Sequence, residues 1–388
     1  MEYRNLRIGE HQLARDLFES YYDRDVYCTE PRYFDWLHHG SPQHLDCATA
    51  EEFTVLAAVD GDRLAGCINY VPTEVYLDGK RHPAVVTTES LARPDSGGVY
   101  GLLARRLVGR FDYCFVMGAT AFLRDLYVQH LGGHYCHDMR RLILVGDVDA
   151  LRRIVALAPG SAAIDLGWFR SKAEATAELA TGKRWVQVET ASELRDDYWQ
   201  AMLASGRPCC GRTPAWIDWR YFRHPHIDYA VITTEASQSA GIAVVRREAL
   251  ALEPECHAVR LLEFLPTPGQ EHALAGAVAR FAKDTGCALL DFFCAHDEVL
   301  HQLPPAFVRP EDHRAHDIPY LLQPPEWRER RSINLLSIRN RRKRRVLPEL
   351  GGGQIYLTKG DGAQDIFLNR GYRSAHLRSQ EQPSQRRA

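Results

Sequence analysis

Residues 214–225, PAWIDWRYFRHP, have a second version at residues 31–42, PRYFDWLHHGSP. Both follow one template: a proline, any residue, an aromatic (Tyr33, Trp216), an apolar residue (Phe34, Ile217), then Asp-Trp (Asp35-Trp36, Asp218-Trp219) and a closing proline (Pro42, Pro225). The copies lie 183 residues apart. A solenoid repeats every 20 to 50 residues or so, so this spacing predicts a duplicated domain instead. Proline costs little in the first turn of a helix, because its missing N–H would have no partner there. Each copy therefore reads as a short, heavily aromatic helix.

Outward from the first copy, the chain reads β, α, α, β, β, β, loop, α, β, α, β. Strand runs at 53–59, 64–71, 84–91, 111–117 and 139–145 alternate with helical spacing at 99–108 and 121–131. Asp60-Gly61-Asp62 and Asp78-Gly79 are tight-turn signals between strands. After a helical connection the order restarts around the second copy, with strands at 185–188, 229–234, 241–245, 258–265 and 288–293 and helices at 192–203 and 272–283. Ala65-Gly66 and Ala240-Gly241 each open a strand, and Glu89 and Glu263 follow at nearly the same interval. Agreement at several levels predicts two tandem α/β (α+β) domains, each a mixed central sheet flanked by helices. The boundaries read as 1–146, a connector at 147–182, a second domain at 183–325, and a basic segment with a partly disordered tail at 326–388.

The bulk properties suit this reading. With 388 residues, 45% hydrophobic and 25% charged, the chain has length and apolar content for two cores. A net charge of -2 provides no broad basic field, so nucleic acid is not the expected partner. The local exception is a basic run at 328–345, read as a solvated connector or a phosphate-binding arm. The first residues lack the apolar core of a signal peptide, and no window is long and apolar enough to span a bilayer. The ten cysteines are scattered without a Cys-x-x-Cys pair, which predicts reduced core thiols in a cytoplasmic protein. Cys209-Cys210, between Pro208 and Gly211, reads as part of a loop.

The order of the first half is that of the Gcn5-related N-acetyltransferases, the acyl-CoA N-acyltransferase superfamily. The residue-level match is sharpest at 121–133, AFLRDLYVQHLGG, which resembles that family's penultimate helix with its Leu-Tyr and following glycine. The resemblance implies that Tyr127 protonates the departing coenzyme A thiolate. A second match is the strand, loop and helix around Pro94-Asp95-Ser96-Gly97-Gly98-Val99-Tyr100-Gly101, where the family binds the pyrophosphate of acyl-CoA. Glycines there let the backbone approach phosphate, and N–H groups at a helix N-terminus point at an anion. The loop is short and lacks the family's usual Arg or Gln, and Asp95 adds a negative charge. By this resemblance Leu91, Ser96, Gly97, Gly98, Val99, Tyr100 and Gly101 bind acetyl-CoA as co-substrate. Glu89, on the matching strand, takes a proton from the acceptor amine.

The second half departs from the family's pattern. Its loop, residues 266–271, has a single glycine and an added glutamate, and Leu300 stands where the tyrosine would be. Coenzyme A is therefore expected only in the first half. Paired arrangements of this kind are similar to Fem-type aminoacyltransferases and to tandem acetyltransferase-like proteins of bacterial surface-polysaccharide clusters. Residues 356–365, YLTKGDGAQD, resemble the closing segment of the latter. The implied activity is N-acyl transfer, with acetyl as default, to a small-molecule amine such as a nucleotide-linked amino sugar. Aminoacyl-tRNA-dependent transfer and a non-catalytic ligand-binding or scaffold role are the alternatives. No metal site is expected: His134, Cys136, His137 and Asp138 alternate faces on a strand and do not converge. The sequence leaves the oligomeric state open.

Overall fold

The computed structural model describes residues 1–21, 27–156, 166–235, 237–249, 255–309, 312, 318, 321–322, 325–326, 333–341, 347–350 and 353–362. The first half contains β1 (Glu2–Arg7), α1 (His11–Glu19), α2 (Pro31–His38), β2 (Glu52–Asp60), β3 (Arg63–Leu77), β4 (Lys80–Ala92), α3 (Val99–Arg110), β5 (Tyr113–Met117), α4 (Ala121–His130) and β6 (Gly133–Val145). The helices α5 (Val148–Val155) and α6 (Leu166–Ala180) lead on to β7 (Val186–Val188), α7 (Asp197–Ala204), β8 (Cys209–Cys210) and α8 (Pro214–Ile217). Then follow β9 (Ala230–Thr233), β10 (Gly241–Ala249), β11 (His257–Pro266), α9 (Glu271–Asp284), β12 (Leu289–Cys294) and α10 (Asp297–Gln302). The short pair β13 (Leu321–Leu322) and β14 (Pro325–Glu326) precedes β15 (Ile333–Arg339).

Local chemistry sets these boundaries. Asp78 and Gly79 both take positive φ (49° and 71°), the conformation of the two-residue turn that matches strand twist, and they join β3 to β4 through the Leu77–Lys80 pair. Glu30 caps α2 by accepting from the N–H groups of Arg32 and Tyr33, at 3.2 and 2.7 Å. Thr213 caps α8 through the Trp216 N–H. The two copies of the repeat then differ: α2 continues as a regular helix, whereas α8 passes into a π-helical turn, Asp218–Phe222.

One mixed sheet runs through the described chain in the order β1-β2-β3-β4-β5-β15-β6-β12-β11-β10-β9-β7, with β8 added beside β3. Its centre is an exchange of strands. β6 pairs with β15 over Gly133 to Met139 and with β12 over Arg140 to Val145. β15, which follows the second half in sequence, pairs with β5 of the first half. Each half thus completes its sheet with a strand supplied from beyond the other's last helix.

Both sequence repeats meet at the centre. Trp36 Nε1 donates to the Trp219 carbonyl at 2.9 Å, and Trp219 Nε1 donates to the Trp36 carbonyl at 2.9 Å. The indoles stack with centroids 5.3 Å apart and planes at 24°. Gly40 is required here, because a β-carbon would fall 2.8 Å from the Trp36 carbonyl oxygen. Tyr33, Trp36, Leu37, Trp216, Ile217, Trp219 and Tyr221 all belong to the largest apolar core.

Two expectations need correction. β15 lies in the middle of the sheet, with Ile333, Leu335, Leu336 and Ile338 buried, although its sequence falls inside the run read as a basic connector. Residues 328–332 and 342–345 of that run lie outside the described residues, as does the tail after 362. The stretch 355–362, read as part of a closing segment, is interior, with Tyr356 and Leu357 almost fully buried. Cys209 and Cys210 form β8 against Tyr76 and Val75 and are inaccessible; they are core, because their thiols face apolar neighbours on both sides.

Replacing either tryptophan of the pair by phenylalanine removes a donor and leaves a buried carbonyl unpaired, at an expected cost of about 2–4 kcal/mol each. Because the two interactions are reciprocal, the double variant should be less destabilised than the sum by about 0.5–3 kcal/mol. Urea denaturation of Trp36→Phe, Trp219→Phe and the double variant measures this. Strict additivity would refute the coupling.

Candidate functional site

The candidate site lies where β4 and β5 part. The strands run parallel and pair from Ala84–Tyr113 to Thr87–Val116. Beyond that point β4 continues beside β3 to Ala92, while β5 ends at Met117 and the chain turns into α4. The pairing of β3 with β4 shifts register between Ile68 and Tyr70, so β4 carries an extra residue at Thr88–Glu89. Such a β-bulge bends the strand and re-aims a side chain. Thr88, Glu89 and Ser90 are half-buried at the mouth of the opening.

Glu89 Oε2 is sealed from solvent and has no hydrogen-bond partner among the described residues. Burial holds its carboxyl above the usual glutamate range, against the opposing pull of a backbone N–H, the Thr88 hydroxyl and the Arg220 charge. Arg220 comes from the second copy of the repeat. It is almost fully buried, lies 5.1 Å from the Trp36 ring centroid, and donates to the carbonyls of Gly360 and Gly362 at 2.7 and 2.6 Å. Sequence reasoning found Glu89 and missed Arg220, whose only signal was its place beside Trp219.

The loop that follows is anchored at its start. Arg93 donates from its N–H to Ala65 O and from Nε to Leu64 O. Gly98 takes φ 79° at the N-cap of α3, and nothing lies within 4 Å of a β-carbon at Gly97 or Gly98. A helix leaves its first N–H groups without intrahelical acceptors. Val99 N–H bonds Ser96 O, and the next first-turn donors, Tyr100 and Gly101, follow on the same turn. This backbone cradle has the donors and the open side that a phosphate group needs. Asp95 sits 3.9 Å from Arg63, which offsets its charge. The side chains of Leu91 and Val99 point into core clusters, so these two residues have only their backbone to offer a ligand.

Tyr127 is fully buried. Its hydroxyl lies 3.3 Å from that of Tyr100, and the rings meet edge to face at 88°. Gly133 makes room for the turn after α4, since a β-carbon there would lie 2.9 Å from Tyr127 O. Burial pushes the Tyr127 phenol well above its ordinary value and that of Tyr100 up to about 12. Tyr127 on α4 and Tyr100 in the first turn of α3 therefore form a pair of hydroxyls, while Ser90 Oγ donates to Thr88 O at 3.3 Å. The contact between the two hydroxyls was not legible in the sequence.

Glu263 occupies the corresponding place in β11, where the pairing with β10 also shifts register, between Val244 and Val245. Its surroundings are the opposite of those of Glu89. Tyr221 and Tyr356 donate to it at 2.8 and 2.9 Å, Thr358 at 3.2 Å, and Arg212 lies 3.0 Å away while also pairing with Asp361. Burial pushes its carboxyl up and Arg212 pulls it back. Every oxygen is engaged, and the residue is fully enclosed. Leu300 in α10 is likewise buried and carries no proton to transfer.

His134 is exposed at the start of β6, and the side chains of Cys136 and His137 lie outside the described set. Among the described residues no three His, Cys, Asp or Glu side chains gather as metal ligands, and no helix is long and apolar enough to cross a membrane.

No family model and no curated protein matches this chain. Solved structures do. A GCN5-related N-acetyltransferase from Anabaena variabilis aligns over 87% of this chain and 72% of its own, at 10% identity and a TM-score of 0.51. A conserved protein of unknown function from Enterococcus faecalis, described as a probable N-acyltransferase, aligns over 87% and 73%, at 11% identity and a TM-score of 0.52. These likenesses establish the fold: a large mixed sheet flanked by helices, of the kind found in the GCN5-related N-acetyltransferases.

The raised pKa of Glu89 has a consequence for stability. A carboxyl whose folded pKa exceeds its unfolded value of about 4.3 binds its proton more tightly when folded, so stability is lost as pH rises through the folded pKa. Glu89→Gln removes that loss. The variant should be more stable than the parent at pH 7, and its advantage should vanish in acid, near pH 4. Urea midpoints measured at both values test this; equal midpoints at pH 7 would refute the raised carboxyl pKa.

Proposed function

We propose that this chain is an acyl-CoA-dependent N-acyltransferase made of two acetyltransferase-like units, 1–146 and 183–325, of which only the first carries the chemistry. The connector is 147–182, a basic segment and tail make up 326–388, and within it β15 closes the sheet between the halves. The single observation that carries the reading is Glu89: a carboxyl on a bulge, beside the parting of β4 and β5, with one oxygen sealed from solvent and without a hydrogen-bond partner among the described residues. The matching strand order in the two halves of the sheet, with a bulge at each glutamate, supports a duplication.

In this reading the backbone N–H groups at Gly97, Gly98, Tyr100 and Gly101, with Ser96 beside them, hold the pyrophosphate of acetyl-CoA. Leu91 and Val99 fix the two ends of the loop in the core. The thioester then lies in the opening between β4 and β5. The acceptor amine nitrogen attacks the thioester carbonyl carbon, and the C–S bond breaks. Glu89 takes the amine's proton; its raised pKa makes it a stronger base than an exposed glutamate. Tyr127 stays protonated at neutral pH and supplies a proton through Tyr100 to the leaving thiolate. We assign the acceptor to the small amines, with an amino sugar of surface-polysaccharide synthesis as the class suggested by residues 356–365, and we place the reaction in the cytoplasm.

Steady-state thiol release with acetyl-CoA and a panel of amino sugars tests these roles. Glu89→Gln should lower kcat by about 10²–10⁴-fold while leaving the affinity for acetyl-CoA unchanged. The parent's rate should rise with pH through the raised carboxyl pKa, and that limb should disappear in the variant. Tyr127→Phe with full turnover would remove the proposed acid, and no binding of acetyl-CoA even at millimolar concentration would overturn the reading.

A further inference from the structure

A second site lies at the far end of the first half from the glycine loop. The C-terminal ends of α3 and α4 and the end of β15 converge there around a cleft of about 260 Å3, lined by Arg105, His130, Gly132, Arg339, Asn340 and Arg341 among others. The residue of α3 that lines it nearest the Gly98 loop, Arg105, lies seven residues along from Gly98, about 10 Å at 1.5 Å per residue. The cleft therefore does not belong to the site described above.

Its chemistry is cationic. None of the residues that line it is acidic. Arg105 and Arg341 are exposed and form no ion pair among the described residues. Arg339 is held by Glu349 at 2.6 Å and by the Leu347 carbonyl at 2.7 Å. The wall is also fixed in place. Buried Asn340 donates from its backbone N–H to Asp112 O at 2.9 Å and from Nδ2 to Gly109 O at 3.0 Å, which pins the end of β15 to α3. Gly132 takes φ 71°, and a β-carbon there would fall 3.0 Å from the Arg341 guanidinium. The missing side chain is what lets that guanidinium lie against the turn after α4.

The charge balance indicates what the cleft takes. Three guanidinium groups face one carboxylate, Glu349, and two helix C-termini worth about half a negative charge each. Among the described residues about one positive charge remains, enough for a phosphate group. Guanidinium groups match phosphate oxygens in bidentate geometry. We propose that this cleft binds the phosphate of a small phosphorylated molecule, with Arg105 and Arg341 as its ligands. The proposal stands apart from the acyltransferase reading, because the cleft and the glycine loop share no residue.

The test titrates the full chain with inorganic pyrophosphate by calorimetry, in the presence and absence of excess coenzyme A. Binding should persist under coenzyme A and weaken by about ten- to a hundredfold in Arg105→Gln and in Arg341→Gln. Gly132→Ala, which displaces the Arg341 guanidinium without changing any charge, should weaken it too. Arg152→Gln, at an exposed position far from the cleft, should leave it unchanged. The double variant Arg105→Gln/Arg341→Gln decides the matter even if coenzyme A does not bind. The proposal is overturned if the parent shows no binding, if the double variant binds as well as the parent, or if excess coenzyme A abolishes binding. It is also overturned if oligothymidine binds more tightly than pyrophosphate with a steep salt dependence.

Discussion

Trp36 and Trp219 each give their indole N–H to the other's backbone carbonyl while the rings stack. Neither bond can form unless both helices sit at one distance and in one mutual orientation. That constraint explains why the same aromatic phrase is found in both halves of the sequence. It also fixes what lies alongside. Arg220, the residue after Trp219, is held against Trp36 and faces the end of β4. The strand exchange through β6 and β15 acts in the same direction, because separating the halves would strip backbone partners from the middle of the sheet.

The frame is nearly symmetric and the chemistry is not. Both glutamates sit late in the strand that precedes a loop and a long helix, each beside a bulge. Glu263 is surrounded by donors and by Arg212, which also holds Asp361 of the closing stretch. Breaking such a buried group would leave an uncompensated charge and cost several kcal/mol, so Glu263 acts as a strut. Glu89 keeps one oxygen without a partner. That atom pays a desolvation cost with no structural return, the pattern expected where burial tunes a carboxylate for proton transfer.

The parts legible in the sequence were those with local causes. The Asp-Gly turn, the alternating strands and the proline-started helices all follow from short-range sterics and periodicity, and they fall where expected, although β3 and β6 each run six residues beyond the stretch read as a strand. The tryptophan pair was visible as a repeat, although its reciprocal hydrogen bonds were not. β15 escaped because its apolar run is brief and flanked by arginines, while its partners β5 and β6 lie far back in the chain. Cys209 and Cys210 looked like a loop because Pro208 and Gly211 bracket them, yet two residues suffice to pair with β3. Within the candidate site, residue types were readable and burial was not: Tyr127 is enclosed, Leu91 and Val99 face the core, and Glu89 sits on a bulge that no sequence pattern announces.

The claim that the two halves share a frame and differ in chemistry is tested most directly by amide hydrogen exchange with and without acetyl-CoA. Binding at the first half alone should slow exchange across residues 88–103, at the end of β4, the glycine loop and the first turn of α3. The corresponding stretch at 262–275 should be unaffected. Protection confined to 262–275, or equal in both stretches, would contradict the account.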